Sequence, residues 1–558
     1  MRRSLRKAAA FSIVCSMAAA SLAGCGGNKA NETASTDAAE NAKASQEADG
    51  TAQTKEAEKQ EGEYIDYSQG FSENVTIQIP VYDRAYEGWN VTDNYYTNWI
   101  QKEFGDKYNI TVDFVAIGRT TEVTDYTQML AAGTAPDIIF HYDMPQALAY
   151  YGEGAMQELD LGEIAYYAPT YFDKMGETIS RYGSVDGKPT LFFAGRTDAY
   201  NSVRLIRQDW LDKVNMEMPH SLEEYNAVLK AWKEAGLGNG GGYLIQNSFN
   251  FDYPFREWPI DEKERALYSD LSVAALPWQS TYEYLANLNY QYNNGLINPE
   301  FYLNTDEAST KADFVSGKSG VYTLYLSSST DVISSLLGNE PEAKLAVMDP
   351  AALSPEGVMP QSRAYWPFGI IMGINQATSN EERAAIWLYL EWMSQTNNLF
   401  FLQNGVEGEN YTLDADGLAV KDSDFAGESK LSQNNNKDYW CLVTEGVEYE
   451  KEELNYKANL ANWAPTGYEY LIEDAYQYYN DYKEYMTVDA LYSVVIESVA
   501  EYKTTLNDLW KELYVKCVMA SEADFDTVYE QAVQEYLEAG YQEILDEKTE
   551  AIEAGNYN

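Results

Sequence analysis

The fold of this chain is decided by the stretch Ile110-Thr-Val-Asp-Phe-Val115 and the apolar run Ile138-Ile139-Phe140, separated by a helical segment that ends at Gly133. Apolar residues alternate in the first run, which is typical of a strand, and glycine is a common residue at helix C-termini. Upstream, Val75-Thr-Ile-Gln-Ile79 alternates in the same way and stops at a proline, and residues 93–104 carry apolar side chains at helical spacing. This order predicts an α/β fold in which right-handed crossovers connect parallel strands.

The same order predicts where a ligand would bind. In open α/β sheets, ligands lie beyond the carboxyl ends of the strands. Here those ends lead into three loops, at residues 81–90, 117–121 and 141–145. The first and third loops are rich in aromatic and charged residues, so we expect a binding site to be built from them.

Six short motifs resemble, in order, those of extracellular solute-binding proteins that serve ABC importers. The motifs are Leu130-Ala-Ala-Gly-Thr-Ala-Pro-Asp-Ile138, Asp186-Gly-Lys-Pro189, Ile206-Arg-Gln-Asp-Trp-Leu211, Asn294-Gly-Leu-Ile-Asn-Pro-Glu-Phe301, Phe314-Val-Ser-Gly-Lys-Ser-Gly320 and Gly405-Val-Glu-Gly-Glu-Asn-Tyr411. The last is similar to a motif of the large, lipoprotein LplA/LipO-like branch of this family. Together the motifs extend over most of residues 70–540.

The resemblance implies a two-lobe periplasmic-binding-protein-like (type II) α/β fold, with hinge-linked lobes that close on a ligand and added C-terminal helices. We expect lobe 1 to comprise residues 70–200 with 366–400, and lobe 2 to comprise 201–365 with 401–558. A helix is predicted from Glu381 to Met393, with Trp387 in the core because its apolar neighbours recur at helical spacing. Asp209 is predicted as a helix N-cap, and Ser221 with Glu224 as a capping box.

The ligand implied by this family is a solute, and the aromatic content favours a carbohydrate. Tyrosine occupies 47 of the 558 positions. Aromatic faces cover the apolar patches of sugar rings, while carboxylates, amides and arginines bind hydroxyl groups. The candidate ligand-binding residues lie at predicted strand ends, hinges or family motifs, and each could instead have a core or surface role. They are Tyr82, Asp83, Trp89, Tyr142, Asp143, Phe193, Arg196, Trp366 and Glu407, with Trp366 the strongest candidate.

The first residues resemble a bacterial lipoprotein signal. Four basic residues precede a small-residue apolar run, as in a secretory signal peptide, and Leu22-Ala-Gly-Cys25 is similar to the lipobox. This resemblance predicts a signal peptide at 1–24, lipid attachment at Cys25 and an extracytoplasmic location at the cell membrane. Residues 26–63 contain no aromatic, Val, Ile, Leu or Met residue, which predicts a disordered linker over 25–63. An ordinary signal peptide with an incidental cysteine, and a lone surface helix in place of the linker, are the alternatives.

Composition excludes several partners and cofactors. The net charge of −49 disfavours nucleic acid and anionic lipid headgroups. Two histidines and the absence of metal-ligand motifs nearly exclude zinc, and the run Asp414-Ala-Asp416-Gly417 lacks the downstream carboxylate of a calcium loop. We therefore expect no metal and no cofactor. Cys441 and Cys517 are more typical of buried free thiols than of a disulfide, although pairing stays open.

These observations predict a monomeric, lipid-anchored protein that captures an oligosaccharide and delivers it to ABC permease subunits. A peptide- or other solute-binding lipoprotein would use the same fold and is the main alternative. A glycan-active enzyme is a further alternative, but the chain has no G-x-S-x-G nucleophile elbow and no recognisable glycosidase signature. The prediction is therefore a binding protein and not an enzyme.

Overall fold

The computed structural model describes residues 64–196, 202–238, 261–268, 273–303, 307–360, 362–422, 424–488 and 490–557. The predicted signal peptide, Cys25 and the linker of residues 25–63 lie outside these ranges. Among the helices that the structure describes, none combines the length and the apolar character needed to cross a bilayer.

The strands belong to short sheets, of which two form the first lobe and one forms the second. The strands are β1 (Val75–Asp83), β2 (Ile110–Gly118), β3 (Ile138–His141), β4 (Ser184–Val185), β5 (Lys188–Pro189), β6 (Leu191–Gly195), β7 (Ser202–Arg207), β8 (Val321–Tyr325), β9 (Leu345–Val347), β10 (Ser362–Ala364), β11 (Phe368–Ile374), β12 (Tyr411–Leu413), β13 (Ala419–Lys421) and β14 (Met486–Val488).

The helices cover these sheets and form a separate C-terminal group. They are α1 (Tyr95–Ile100), α2 (Asp106–Tyr108), α3 (Glu122–Ala132), α4 (Met144–Gly152), α5 (Leu161–Tyr167), α6 (Pro169–Tyr182), α7 (Gln208–Val214), α8 (Leu222–Glu234), α9 (Glu262–Tyr268), α10 (Gln279–Asn293), α11 (Glu307–Val315), α12 (Ser329–Asn339), α13 (Asn380–Ser394), α14 (Thr396–Asn404), α15 (Lys437–Trp440), α16 (Glu452–Trp463), α17 (Tyr470–Tyr482), α18 (Glu497–Met519), α19 (Phe525–Tyr536) and α20 (Gln542–Glu553).

The first lobe is built on β1 and β2, which pair in parallel from Val75↔Ile110 to Asp83↔Gly118. This confirms the predicted parallel pair, but β1 continues through Pro80 to Asp83 rather than ending at the proline. The third predicted strand, β3, lies beside β1, where the Asp137 amide donates to the Gln78 carbonyl at 3.0 Å. Its ladder partner is β11, which runs antiparallel to both β3 and β6. The sheet is therefore mixed, because the strand that returns from the second lobe enters it in the opposite direction.

The predicted helices of this lobe form with the expected faces buried. The side chains of Tyr96, Ile100 and Phe104 are all fully buried. Asn94 caps α1, because its side chain accepts hydrogen bonds from the backbone amides of Tyr96 and Thr97. Ser379 and Glu382 form a capping box at the start of α13, and Trp387 in that helix is fully buried, as predicted. Helical periodicity thus identified the core-facing sides of both helices.

The second lobe is centred on β7, which pairs antiparallel with β8 and β9. Here the prediction that Asp209 caps a helix is wrong. Its carboxylate binds the guanidinium of Arg207 at 2.8 Å, because that arginine is only 1% exposed and needs a counter-charge. Ser221 does cap α8, accepting a hydrogen bond from the Glu224 amide at 3.2 Å. The predicted capping box is only half formed, because the Glu224 carboxylate accepts the amide of His220 and not that of Ser221.

Two features bear on the predicted lobe boundaries. Residues 439–443, expected in lobe 2, share one apolar core with β1, β3 and β11. We therefore propose that lobe 1 also includes this segment. Helices α10, α18, α19 and α20 bury a further core of their own, as the predicted C-terminal helices require.

Cys441, Cys517 and the carboxylate of Asp414 have structural roles. Cys441 and Cys517 are buried free thiols that belong to different apolar cores. Burial raises the pKa of Cys517 to about 12, so its thiol stays protonated at neutral pH. The Asp414 carboxylate accepts the amides of Asp416 and Leu418, each at 2.9 Å, which makes it part of a turn.

Candidate functional site

The strand ends of the first lobe meet along one edge of the sheet. β1, β2, β3 and β6 end at this edge, and β11, which is antiparallel to β3 and β6, begins there. Two backbone hydrogen bonds join the loops: Arg119 N–H donates to the Asp83 carbonyl at 2.9 Å, and Arg196 N–H donates to the Pro367 carbonyl at 3.0 Å. The edge therefore brings together residues 83–84, 119, 141–143, 195–196 and 366–367, and we call it the strand-end edge.

A stack of tyrosines forms the base of this edge. Tyr82 is 1% exposed, and its ring lies parallel to that of Tyr142, with 6.1 Å between the centroids. The Arg119 guanidinium lies over both rings, 4.9 Å from the Tyr82 centroid and 5.3 Å from the Tyr142 centroid. Tyr142 is half-buried, so Tyr82 supports a ring that a ligand could contact.

A buried hydrogen-bond chain fixes the loop after β3. The Asp143 amide donates to His141 Nδ1 at 2.9 Å, so Nε2 carries the ring proton and lies 3.2 Å from Glu122 Oε1. The same carboxylate oxygen is 2.9 Å from Arg119 Nη1. Burial alone would raise the pKa of Glu122, but the contact with His141, the nearby Tyr82 hydroxyl and the positive charge of Arg119 hold it below its ordinary value. The carboxylate is therefore ionised and orients both arginine and histidine.

Two further arginines of the edge are held by carboxylates from the segment 437–445. Arg84 Nε lies 3.0 and 3.1 Å from the two carboxylate oxygens of Asp438. Arg196 Nε lies 2.8 Å from Glu445 Oε2, and Glu445 is only 2% exposed. Burial alone would raise the pKa of Glu445, but the positive charges of Lys437 and Arg196 lower it by more, so the pKa lies below its ordinary value.

A glycine makes room for the Glu445 carboxylate. A Cβ atom at Gly369, the second residue of β11, would lie 2.0 Å from Glu445 Cδ and 2.1 Å from Oε2. The carboxylate thus occupies the volume of the missing side chain. This close approach explains Gly369 in a strand whose other residues, apart from Gly373, are large and apolar.

Trp366 lies two residues before β11 and is half-buried. Its ring stacks on that of Phe368, with 5.7 Å between the centroids and 8° between the planes. The neighbouring Tyr365 ring lies 5.2 Å from the Arg196 guanidinium carbon. Trp89, in the loop after β1, is also half-buried and packs against Tyr439 at 6.4 Å. Three partly exposed aromatic rings are therefore presented at this edge.

The second lobe contributes to the same region. Tyr325, at the end of β8, is 38% exposed, and its ring centroid is 6.0 Å from that of Tyr365. At the same end of this sheet, Asp349 follows β9 and accepts a hydrogen bond from the Tyr482 hydroxyl at 3.0 Å. Its other oxygen lies 2.6 Å from His220 Nδ1. A cleft between the lobes would thus have tyrosines on both walls.

The predicted site residues divide into three groups. At the strand-end edge the structure brings together Tyr82, Asp83, Tyr142, Asp143, Arg196 and Trp366, with Trp89 in the adjacent loop. Phe193 instead lies in the core: it is fully buried and stacks on Phe368 at 4.2 Å, so its side chain is not available to a ligand here. Tyr82, at 1% exposed, is also buried, so it supports the Tyr142 ring and does not offer a face of its own. Glu407 lies in an exposed turn next to Tyr411.

Sequence reasoning missed most of the charged partners. Asp438 and Glu445 are more than 240 residues from the arginines they bind. Arg84 and Arg119 lie within the predicted loops but are not among the predicted ligand-binding residues. Tyr325 was detectable only as the last residue of a strand in the other lobe.

The strand-end edge and two-lobe arrangement agree with the family comparison. Residues 99–399, just over half of the chain, match the family model described as bacterial extracellular solute-binding protein. The chain is a bacterial extracellular solute-binding protein. The predicted family is thereby confirmed.

Two curated relatives from Bacillus subtilis (strain 168) resemble this solute-binding protein. Lipoprotein LipO is 26% identical over 280 residues, covering 45% of this chain and 52% of LipO. The polygalacturonan/rhamnogalacturonan-binding protein YtcQ is 25% identical over 233 residues, covering 40% of this chain and 45% of YtcQ. The chain thus spans about half the length of the curated relatives it matches.

Solved structures extend the likeness to the whole fold. A structure described as an HMO binding ABC-transporter associated solute-binding protein from Bifidobacterium longum infantis matches with a TM-score of 0.58 at 13% identity. The match covers 87% of this solute-binding protein and 99% of that chain. At this identity the match concerns the fold alone, and it confirms the predicted two-lobe class.

Proposed function

We propose that this solute-binding protein is the membrane-anchored receptor of an ABC importer and binds an oligosaccharide between its lobes. The observation that carries the proposal is the strand-end edge, where half-buried rings alternate with arginines. Tyr142 and Trp366 offer flat faces there, and the Arg196 guanidinium lies 5.2 Å from the centroid of the Tyr365 ring. Aromatic faces for sugar rings, with polar groups beside them, are what a carbohydrate site requires.

The relatives support both parts of this proposal. One is named for binding polygalacturonan and rhamnogalacturonan, and another is named as a lipoprotein. We propose Cys25 as the lipid attachment site, permease subunits as partners and a monomer as the working state. All belong to a protein that binds and releases its ligand without changing it, so we propose no enzymatic activity.

The experiment is a ligand screen on the protein without residues 1–24. Melting temperature and tryptophan fluorescence are measured across a panel of neutral and acidic oligosaccharides, with a peptide library as a second panel. We expect at least one glycan to raise the melting temperature and change the fluorescence, because Trp366 is half-buried at the edge. Stabilisation by peptides and by none of the glycans would overturn the proposal.

Trp366→Ala tests the site itself. Losing one stacked ring should weaken glycan binding by about two- to twelvefold, since an aromatic pair is worth about 0.5–1.5 kcal/mol beyond area burial. Trp99→Ala is the matched control, because Trp99 is also half-buried but packs on Trp392 and Phe401, away from the strand ends. Equal losses in the two variants, measured by calorimetry, would place the ligand elsewhere.

A further inference from the structure

We infer that the strand-end edge selects uncharged glycans and disfavours glycans built from uronic acids. The inference rests on the proposed function and specifies its ligand class. It follows from the way in which every arginine described at this edge is already paired with a carboxylate of the protein.

The pairing is specific in each case. Arg84 holds Asp438 through Nε and Nη2, the latter at 2.9 Å. Arg196 holds Glu445 at 2.8 Å, and Lys437 Nζ lies 3.9 Å from the other oxygen of that carboxylate.

The third arginine is neutralised in the same way. Arg119 Nη1 lies 2.9 Å from Glu122 Oε1, which also faces His141. A guanidinium that binds a carboxylate in this way has fewer N–H groups for a second one.

The paired carboxylates cannot easily be displaced by a ligand carboxylate. The side chains of Asp438, Glu445 and Glu122 are 8%, 2% and 12% exposed. Leaving any of them without its cation would place an unpaired charge in a poorly hydrated site, at a high cost. The pKa values of Glu445 and Glu122 both lie below the ordinary value, so these carboxylates keep their charge.

The rim adds further negative charge. Asp143, after β3, is 68% exposed, and Asp83, at the end of β1, is also exposed. A uronate entering the cleft would meet these carboxylates and find its potential cations occupied. Hydroxyl groups, in contrast, can accept from the remaining guanidinium N–H groups and donate to the same carboxylates.

The resulting selectivity separates this chain from a relative named for a polyuronate. YtcQ is named for polygalacturonan and rhamnogalacturonan, and the former is an acidic polymer. In this chain, each arginine described at the strand-end edge is paired with a carboxylate of the protein. Specificity of this kind arises from unfavourable contacts with the wrong ligand as much as from favourable contacts with the right one.

The experiment compares glycans that differ in charge alone. Oligogalacturonides are titrated beside their fully methyl-esterified forms, and mannuronan oligosaccharides beside manno-oligosaccharides, by isothermal calorimetry. We expect the uncharged member of each binding pair to bind about tenfold more tightly or better. The preference should persist in 0.5 M salt, because contacts at hydrogen-bond distance are screened far less than the overall charge of −49.

Two charge variants provide the controls. Glu445→Gln leaves Arg196 and Lys437 without their carboxylate, and Asp438→Asn does the same for Arg84. Either variant should gain at least tenfold in relative affinity for the uronate member. If the first does not fold, the second gives the same test.

The outcomes separate this inference from the proposed function. A uronate that binds as tightly as its neutral partner, or a preference that vanishes in high salt, would overturn the inference and leave an oligosaccharide receptor in place. If no glycan of either kind binds, the proposed function fails, and the inference fails with it.

Discussion

Replacing Gly369 with alanine should destabilise the protein through one defined contact. The new Cβ would lie 2.0 Å from Glu445 Cδ, far below any tolerated separation. Because β11 is anchored before and after Gly369, where Phe368 pairs with Gly195 and Ile371 pairs with His141 and Phe193, we expect the carboxylate to move. Its 2.8 Å ion pair with Arg196 would then be lost or distorted.

The size of the effect follows from two terms. Overpacking a core costs about 1–3 kcal/mol, and leaving a buried charge without its partner costs about 3–5 kcal/mol. Since Arg196 and Glu445 both remain, part of the pair can form again. We therefore expect the free energy of unfolding to fall by about 2–4 kcal/mol.

Urea denaturation followed by tryptophan fluorescence measures this change. Gly338→Ala in α12 is the control, because a Cβ there meets no atom within 4 Å. The control should gain about 0.5–1 kcal/mol, since alanine is the better helix former. The same substitution is therefore expected to lower the free energy of unfolding at position 369 and to raise it at position 338.

A double-mutant cycle tests the mechanism. In the Glu445→Ala background the methyl group at position 369 has no carboxylate to displace, so its cost should fall to within about 0.5 kcal/mol of zero. An equal cost of Gly369→Ala in both backgrounds would show that the backbone, and not Glu445, is responsible. Unchanged stability of the single variant would refute the steric reasoning altogether.

Two further predictions concern stability. The pKa values of Glu445 and Glu122 are lowered in the folded protein, so their contribution to stability is complete above the ordinary value of 4.5 and is lost as the pH falls below it. The free energy of unfolding should therefore decline below about pH 5, and more steeply in the parent protein than in Glu445→Gln. Identical slopes in the two proteins would contradict this prediction. Ser379→Ala removes the α13 N-cap and should cost about 1 kcal/mol in urea denaturation, whereas Ser379→Asp should retain most of the stability.

Local patterns were sufficient to predict the elements that position the site. The strand patterns at 75–79, 110–115 and 138–140 each became a strand, and the predicted strand ends did converge on one edge. Trp366 lies just before β11, as predicted, because the strongly apolar residues that follow it identify that strand. These predictions depended only on neighbours in sequence, which periodicity reports well.

The errors arose where distant segments decide the environment. Phe193 belongs to β6, whose residues Leu191 to Ala194 are all fully buried, so alternation does not distinguish a cleft-facing side from a core side. Asp438 and Glu445 lie in a segment with no regular period, and only the folded chain shows that they neutralise Arg84 and Arg196. Sequence spacing carries no record of such pairs.

The paired arginines also bear on how ligand binding could drive closure. On the first lobe the guanidinium groups are held by protein carboxylates before any ligand arrives, so little side-chain entropy is lost when a sugar contacts them. Such a preformed half-site binds a ligand comparably in the open and closed arrangements, and equal affinity for two states shifts neither. If the lobes close on the ligand as proposed, the free energy that favours closure comes from the second lobe, where Tyr325 at the end of β8 is 38% exposed. Initial affinity and the extent of closure are then properties of different lobes, set by the strand-end edge and by the tyrosine opposite it.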